Sequence, residues 1–144
     1  MANLEKQKNK AIFKDLGNRL FFVENVIDYA VEPPTAADTY ALWDVPVGAV
    51  VLNQSTEVLV DASGALTVEV GDEDTAALFD TGIDLNTTAG TWYSTTKGTD
   101  AGALGNAYPV KKEIRATFNN TVTTGKAYFC MTYAVSDFAS DLVA

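Results

Sequence analysis

The sequence predicts an all-β domain, a β-sandwich or jelly roll of about seven to eight antiparallel strands with an N-terminal arm or short helix. Three observations predict it. From residue 19 onward, short runs dense in β-branched and aromatic residues alternate with clusters of Gly, Pro, Asn, Asp and Ser. One run, Leu66-Thr67-Val68-Glu69-Val70, has the period of two that belongs to a half-buried strand. The length, 144 residues with 47% apolar composition, supports one self-sufficient core and leaves little room for a second.

Residues 1–18 are polar and rich in Lys and Asn, and are read as a basic arm or a short helix in which Leu4, Ile12, Phe13 and Leu16 form the apolar side and Gly17 the end. Residues 19–144 are read as the single β-sandwich domain. Leu20–Tyr29 is the first strand, crowded with residues that suit a pleated, half-buried surface. Pro33-Pro34 opens a loop, Thr39–Trp43 is a second strand, and Val45-Pro46-Val47-Gly48 makes a turn. Ala49–Val60 is a long strand whose more apolar face carries Val50, Leu52, Val58 and Val60. Asp61–Gly64 turns it into the next strand, so that Val50–Val70 is expected to be a hairpin. Beyond Leu78 a Gly-, Thr- and Asp-rich stretch runs to about residue 106, a length of loop that often carries a contact surface. Tyr108–Phe118 and Gly125–Val135 are the closing strands. The second has few polar positions and is expected at the centre of a sheet.

Charge is unevenly distributed. The net charge is -9, with 19 acidic and 10 basic residues. Within the first twenty residues Lys6, Lys8, Lys10, Lys14 and Arg19 face only Glu5 and Asp15, a local net of +3 that leaves -12 for the rest. An anionic body repels phosphate backbones, so no nucleic-acid partner is expected. No apolar run approaches the roughly 18 residues of a membrane span, and no membrane partner is expected. The single cysteine, Cys130, lies in an apolar run and reads as a buried thiol.

The catalytic vocabulary is thin. There is no histidine, which removes the commonest general base, the usual zinc ligand and every Ser–His or Cys–His pair. No phosphate-cradling glycine motif occurs. Paired carboxylates alone can cleave glycosides, but on so acidic a chain solvated surface carboxylates are the ordinary reading. Asp72-Glu73-Asp74, with Asp80 and Asp84, gathers oxygen ligands without EF-hand spacing, so neither metal nor cofactor is expected. Trp92 and Tyr93 are candidate interface or ligand aromatics, through protein contact or sugar stacking. The chain reads as a binding protein and not as an enzyme.

Two segments point to a family. Leu42–Leu52 has the form Leu-x-x-Val-Pro-x-Gly-x-x-Val-Leu, and Thr67–Asp72 reads Thr-Val-Glu-Val-Gly-Asp. With the strand-rich plan around them, these resemble small virion structural proteins of tailed bacteriophages. The resemblance implies a capsid decoration (cement) or related head protein, often a homotrimer, sitting on the capsid surface after synthesis in the bacterial cytoplasm. Its partners would be the phage major capsid protein and its own copies. Such proteins commonly reach neighbours with an N-terminal arm, which would make Lys6, Lys8, Lys10, Phe13, Lys14 and Arg19 partner contacts. The alternative is a tail or fibre domain that contacts host glycans through Trp92 and Tyr93.

Overall fold

The structure, a computed structural model, describes residues 20–94 and 107–135. The six arm residues Lys6, Lys8, Lys10, Phe13, Lys14 and Arg19 lie outside the described residues. Eight strands are present: β1 (Leu20–Asp28), β2 (Thr39–Val45), β3 (Ala49–Val60), β4 (Thr67–Asp72), β5 (Asp80–Asp84), β6 (Trp92–Ser94), β7 (Lys112–Phe118) and β8 (Lys126–Val135). They form two four-stranded antiparallel sheets, in the orders β1-β8-β3-β6 and β2-β7-β4-β5. The pairs β1·β8, β2·β7, β3·β6 and β4·β5 nest inside one another, as in a double ribbon rolled up from its ends. That nesting is the jelly roll, and the sequence-predicted all-β fold is the one observed.

The central position of β8 follows from its composition. Ala127, Phe129 and Met131 enter the core, while Tyr128 and Cys130 alternate with them on the opposite side. Opposite stand Val45, Val68, Val70, Ile114, Ala116 and Phe118 of the second sheet. Each fully buried aliphatic or aromatic side chain here contributes roughly 1.5–3 kcal/mol of apolar transfer. Side-chain hydrogen bonds also cross between the layers: Trp43 donates its indole N–H to the Met131 sulfur at 3.4 Å, and Asn25 donates to the Leu42 carbonyl at 3.2 Å. Gly125, at φ 129°, lets the backbone run against Tyr29, whose ring a Cβ at this position would meet at 2.7 Å.

Three expectations are corrected. Val50–Val70 is not a hairpin: β3 pairs with β8 and β6, β4 with β7 and β5, so the Asp61–Gly64 connection carries the chain from one sheet to the other. The facing of β3 also differs. A bulge between Val51 and Asn53 reverses the side-chain parity, so Ala49 and Val51 point inward before it and Gln54, Thr56 and Val58 after it. Leu52, at the bulge, is exposed as a result. Within the core the Gln54 Nε2 donates to the Ser55 carbonyl at 2.9 Å and to the Thr56 hydroxyl at 3.1 Å. The stretch expected as one long loop after Leu78 contains β5 and β6.

Candidate interaction face

The outer side of the first sheet is where the structure departs from an ordinary soluble surface. Paired residues in neighbouring strands share a side of the sheet, so the register defines rows running across it. One row reads Val26, Tyr128, Glu57, Trp92 across all four strands. The next, toward the start of β1 and the end of β8, reads Glu24, Cys130, Ser55, Ser94. Beyond it come Phe22, Thr132 and Asn53, then Leu20, Ala134 and Val50. Phe22 is 59% and Trp92 54% exposed, and Leu20, Val26 and Leu52 are also exposed. β1 supplies much of this because it is apolar at both parities: Val23 and Ile27 face the core while Leu20, Phe22 and Val26 face away from it.

Polar atoms on this face are largely committed. The Tyr128 hydroxyl donates to Glu24 at 2.6 Å, and its ring meets Trp92 edge-on with centroids 5.9 Å apart. The hydrogen bond to the Glu24 carboxylate, followed by partial burial, pushes the Tyr128 phenol well above the usual tyrosine range. It therefore remains a donor at any physiological pH. Lys126 pairs with Asp28 at 3.6 Å at the far end. Cys130 lies buried in the second row, and burial pushes its thiol up, away from the reactive thiolate.

Trp92 and Tyr93 are separated by the pleat of β6. Trp92 stands on the outer face, whereas Tyr93 packs against the core. Burial, then the charge of Asp84, raises the Tyr93 phenol. The two rings therefore do not form one stacking platform. Phe22, Val26, Leu52 and Tyr128, absent from the sequence-derived candidates, complete the face around Trp92. The signal for them was available in Leu20-Phe21-Phe22-Val23, an apolar run too continuous for a strand with one wet side.

The acidic turn has a structural occupation. Asp72, buried, accepts from the backbone amides of Asp74 and Thr75, both at 2.9 Å, and from the Tyr108 hydroxyl at 2.9 Å. Asp80 accepts from the Thr81 amide at 2.8 Å, and Asp84 from the Asn86 amide at 2.9 Å. These are side-chain-to-backbone turns of the kind Asp favours. Among the described residues no three acidic, cysteine or histidine side chains gather as a metal site.

The outer side of the second sheet is of the opposite character. Arg115 pairs with Glu113 at 2.7 Å, Thr39 with Thr117 at 3.3 Å, and Thr81 donates to Glu69 at 3.3 Å. Lys112 reaches Asp74, and Lys111 reaches Asp44 at 3.3 Å. The described residues contain four cations and fourteen carboxylates, a net of -10, and each of those cations is held in an ion pair.

Chains of three phage capsids share this fold. A chain of the cyanophage Pam1 capsid asymmetric unit superposes with a TM-score of 0.64 at 20% identity, covering 81% of this chain and 85% of that one. A chain of the acidic stable capsid of Helicobacter pylori bacteriophage KHP30 gives 0.62 at 20% identity, covering 81% and 87%. A chain of the capsid of Ralstonia phage GP4 gives 0.53 at 16%, covering 83% and 86%. No protein-family model and no curated protein matches the chain by sequence. At these identities the likeness establishes the fold.

Proposed function

We propose that this chain is a virion structural protein, and more specifically a capsid decoration (cement) protein that binds the major capsid protein and its own copies on the head surface. The observation that carries the proposal is the exposed apolar face of the first sheet, which carries Phe22, Val26, Tyr128 and Trp92, on a fold shared over about four fifths of the chain with chains of phage capsids. Aromatic side chains dominate binding energy when they leave water, and an open apolar sheet of this extent is a contact surface in search of a partner. A homotrimer fits the proposal, since three copies of so acidic a body need a local apolar or cationic contact to approach one another. The arm residues Lys6, Lys8, Lys10, Phe13, Lys14 and Arg19 are assigned to the partner contact, where the five cations among them offset that repulsion. The role is one of binding and involves no turnover.

Pelleting with capsids tests this reading. The full chain is expected to co-sediment, and removal of residues 1–18 to weaken co-sedimentation sharply while the thermal transition stays in place. Failure of the full chain to co-sediment, together with sugar-dependent signal on a glycan array that Trp92→Ala abolishes, would instead assign the chain to host-surface binding.

A further inference from the structure

Three described carboxylates stand on the outer face of the first sheet: Glu24 and Asp28 on β1, and Glu57 on β3. Two of them are matched. Glu24 accepts from the Tyr128 hydroxyl at 2.6 Å, and Asp28 pairs with Lys126 at 3.6 Å. Glu57 has no ion-pair partner among the described residues, whose remaining cations Lys111, Lys112 and Arg115 are held by Asp44, Asp74 and Glu113.

The position of that lone charge is what makes it informative. Glu57 is paired in register with Tyr128 of β8 on one side and with Trp92 of β6 on the other. β8 and β6 are thus two strand spacings apart, roughly 9–10 Å, yet the two rings approach to 5.9 Å between centroids. They lean toward each other across β3, on which Glu57 stands half-buried.

A surface that covers Trp92 and Tyr128 therefore also takes Glu57 out of water. A carboxylate desolvated without a counter-charge opposes binding strongly, so the partner must bring a cation to this spot. The body of a second copy has none to offer, since its described residues hold a net of -10 with every cation already paired. Aromatic side chains beside the carboxylate favour the same visitor, because the ring faces of Trp and Tyr attract guanidinium and ammonium groups.

We propose that the occupant of this face is a capsid subunit that places a cationic side chain, arginine or lysine, on the Glu57 carboxylate beside Trp92 and Tyr128. The inference rests on the capsid-attachment reading above and adds to it the chemistry of the partner.

Glu57→Gln keeps the size of the side chain and removes its charge. Co-sedimentation of the full chain with capsids, measured over a series of salt concentrations, tests the proposal. The parent is expected to attach, and Glu57→Gln to attach roughly tenfold more weakly at low salt with a shallower salt dependence. An unchanged urea midpoint shows that the variant is folded. A partner that covers Glu57 without a cation gives the opposite sign, because Gln escapes the desolvation of a charge. Equal or tighter attachment of Glu57→Gln thus overturns the proposal while capsid attachment itself stands, whereas failure of the parent to attach removes both. A second background identifies the source of the cation. With Lys6, Lys8, Lys10, Lys14, Arg19 and Lys97, the six cations outside the described residues, all replaced by Gln, Glu57→Gln is expected to cost the same factor again. Disappearance of its effect in that background overturns the proposal by assigning the cation to this chain or another copy of it.

Discussion

The two sheets bury equivalent inner faces yet turn opposite surfaces outward. The second sheet shows threonines and ion pairs, Thr39 with Thr117 and Arg115 with Glu113, which leave nothing for a partner to desolvate profitably. The first shows Leu20, Phe22, Val26, Leu52 and Trp92, with Glu24 held by Tyr128 and Asp28 paired with Lys126. The core is served as well by one as by the other. What distinguishes them is the outer surface, and the apolar sheet is the one on which the proposed capsid contact rests.

That contrast can be broken by placing like charges on each side. Phe22→Glu with Trp92→Glu is expected to reduce capsid attachment by roughly a hundredfold, the loss of two aromatic anchors, whereas Thr117→Glu on the second sheet leaves attachment unchanged. Both variants should unfold in urea close to the parent, because all three side chains lie at the surface. Equal loss of attachment from the two sides would end the distinction.

Tyr128→Phe sharpens it on a smaller scale. Losing the hydrogen bond to Glu24 is expected to cost about 1 kcal/mol, read from the urea midpoint. The pH dependence has a definite sign. The folded state holds the Tyr128 proton more tightly than the unfolded chain, so this contribution is complete below the ordinary tyrosine range and is lost as pH rises through it and beyond. Tyr128→Phe should accordingly soften the alkaline loss of stability. The smallest effect is expected from Arg115→Ala, which removes a solvent-screened pair with Glu113 and should leave the urea midpoint nearly where it is.

Much of the fold was legible because local pattern encodes strands. Leu66–Val70 alternates, Lys126–Val135 is apolar on both sides, and each appears as a strand in the expected environment. Pairing partners were not legible. The connection Asp61–Gly64 serves equally well for reversing within a sheet and for crossing between sheets, and what decides is the competition of β7 and β8 for the same edges, far away in sequence. The facing of β3 was lost for a different reason: one bulge residue inverts a period of two, and no residue type near Leu52 announces it. β5 and β6 are too short for periodicity to register. On the candidate face, Trp92 was identified from its chemistry, but Phe22 and Val26 of β1 and Tyr128 of β8 share its side of the sheet through a register that no local pattern announces.

The nested pairing of first strand with last has a kinetic meaning. β1 has no ladder partner among the described strands until β8 is available, and β3 has only the three residues of β6. A chain emerging from the ribosome thus holds Leu20–Asp28 without its β8 partner until Lys126–Val135 has been made. Topologies ruled by such distant closures fold in milliseconds to seconds and not microseconds, and are vulnerable while they wait. Whatever shields β1 during that interval governs how much of the protein reaches its assembled state at all.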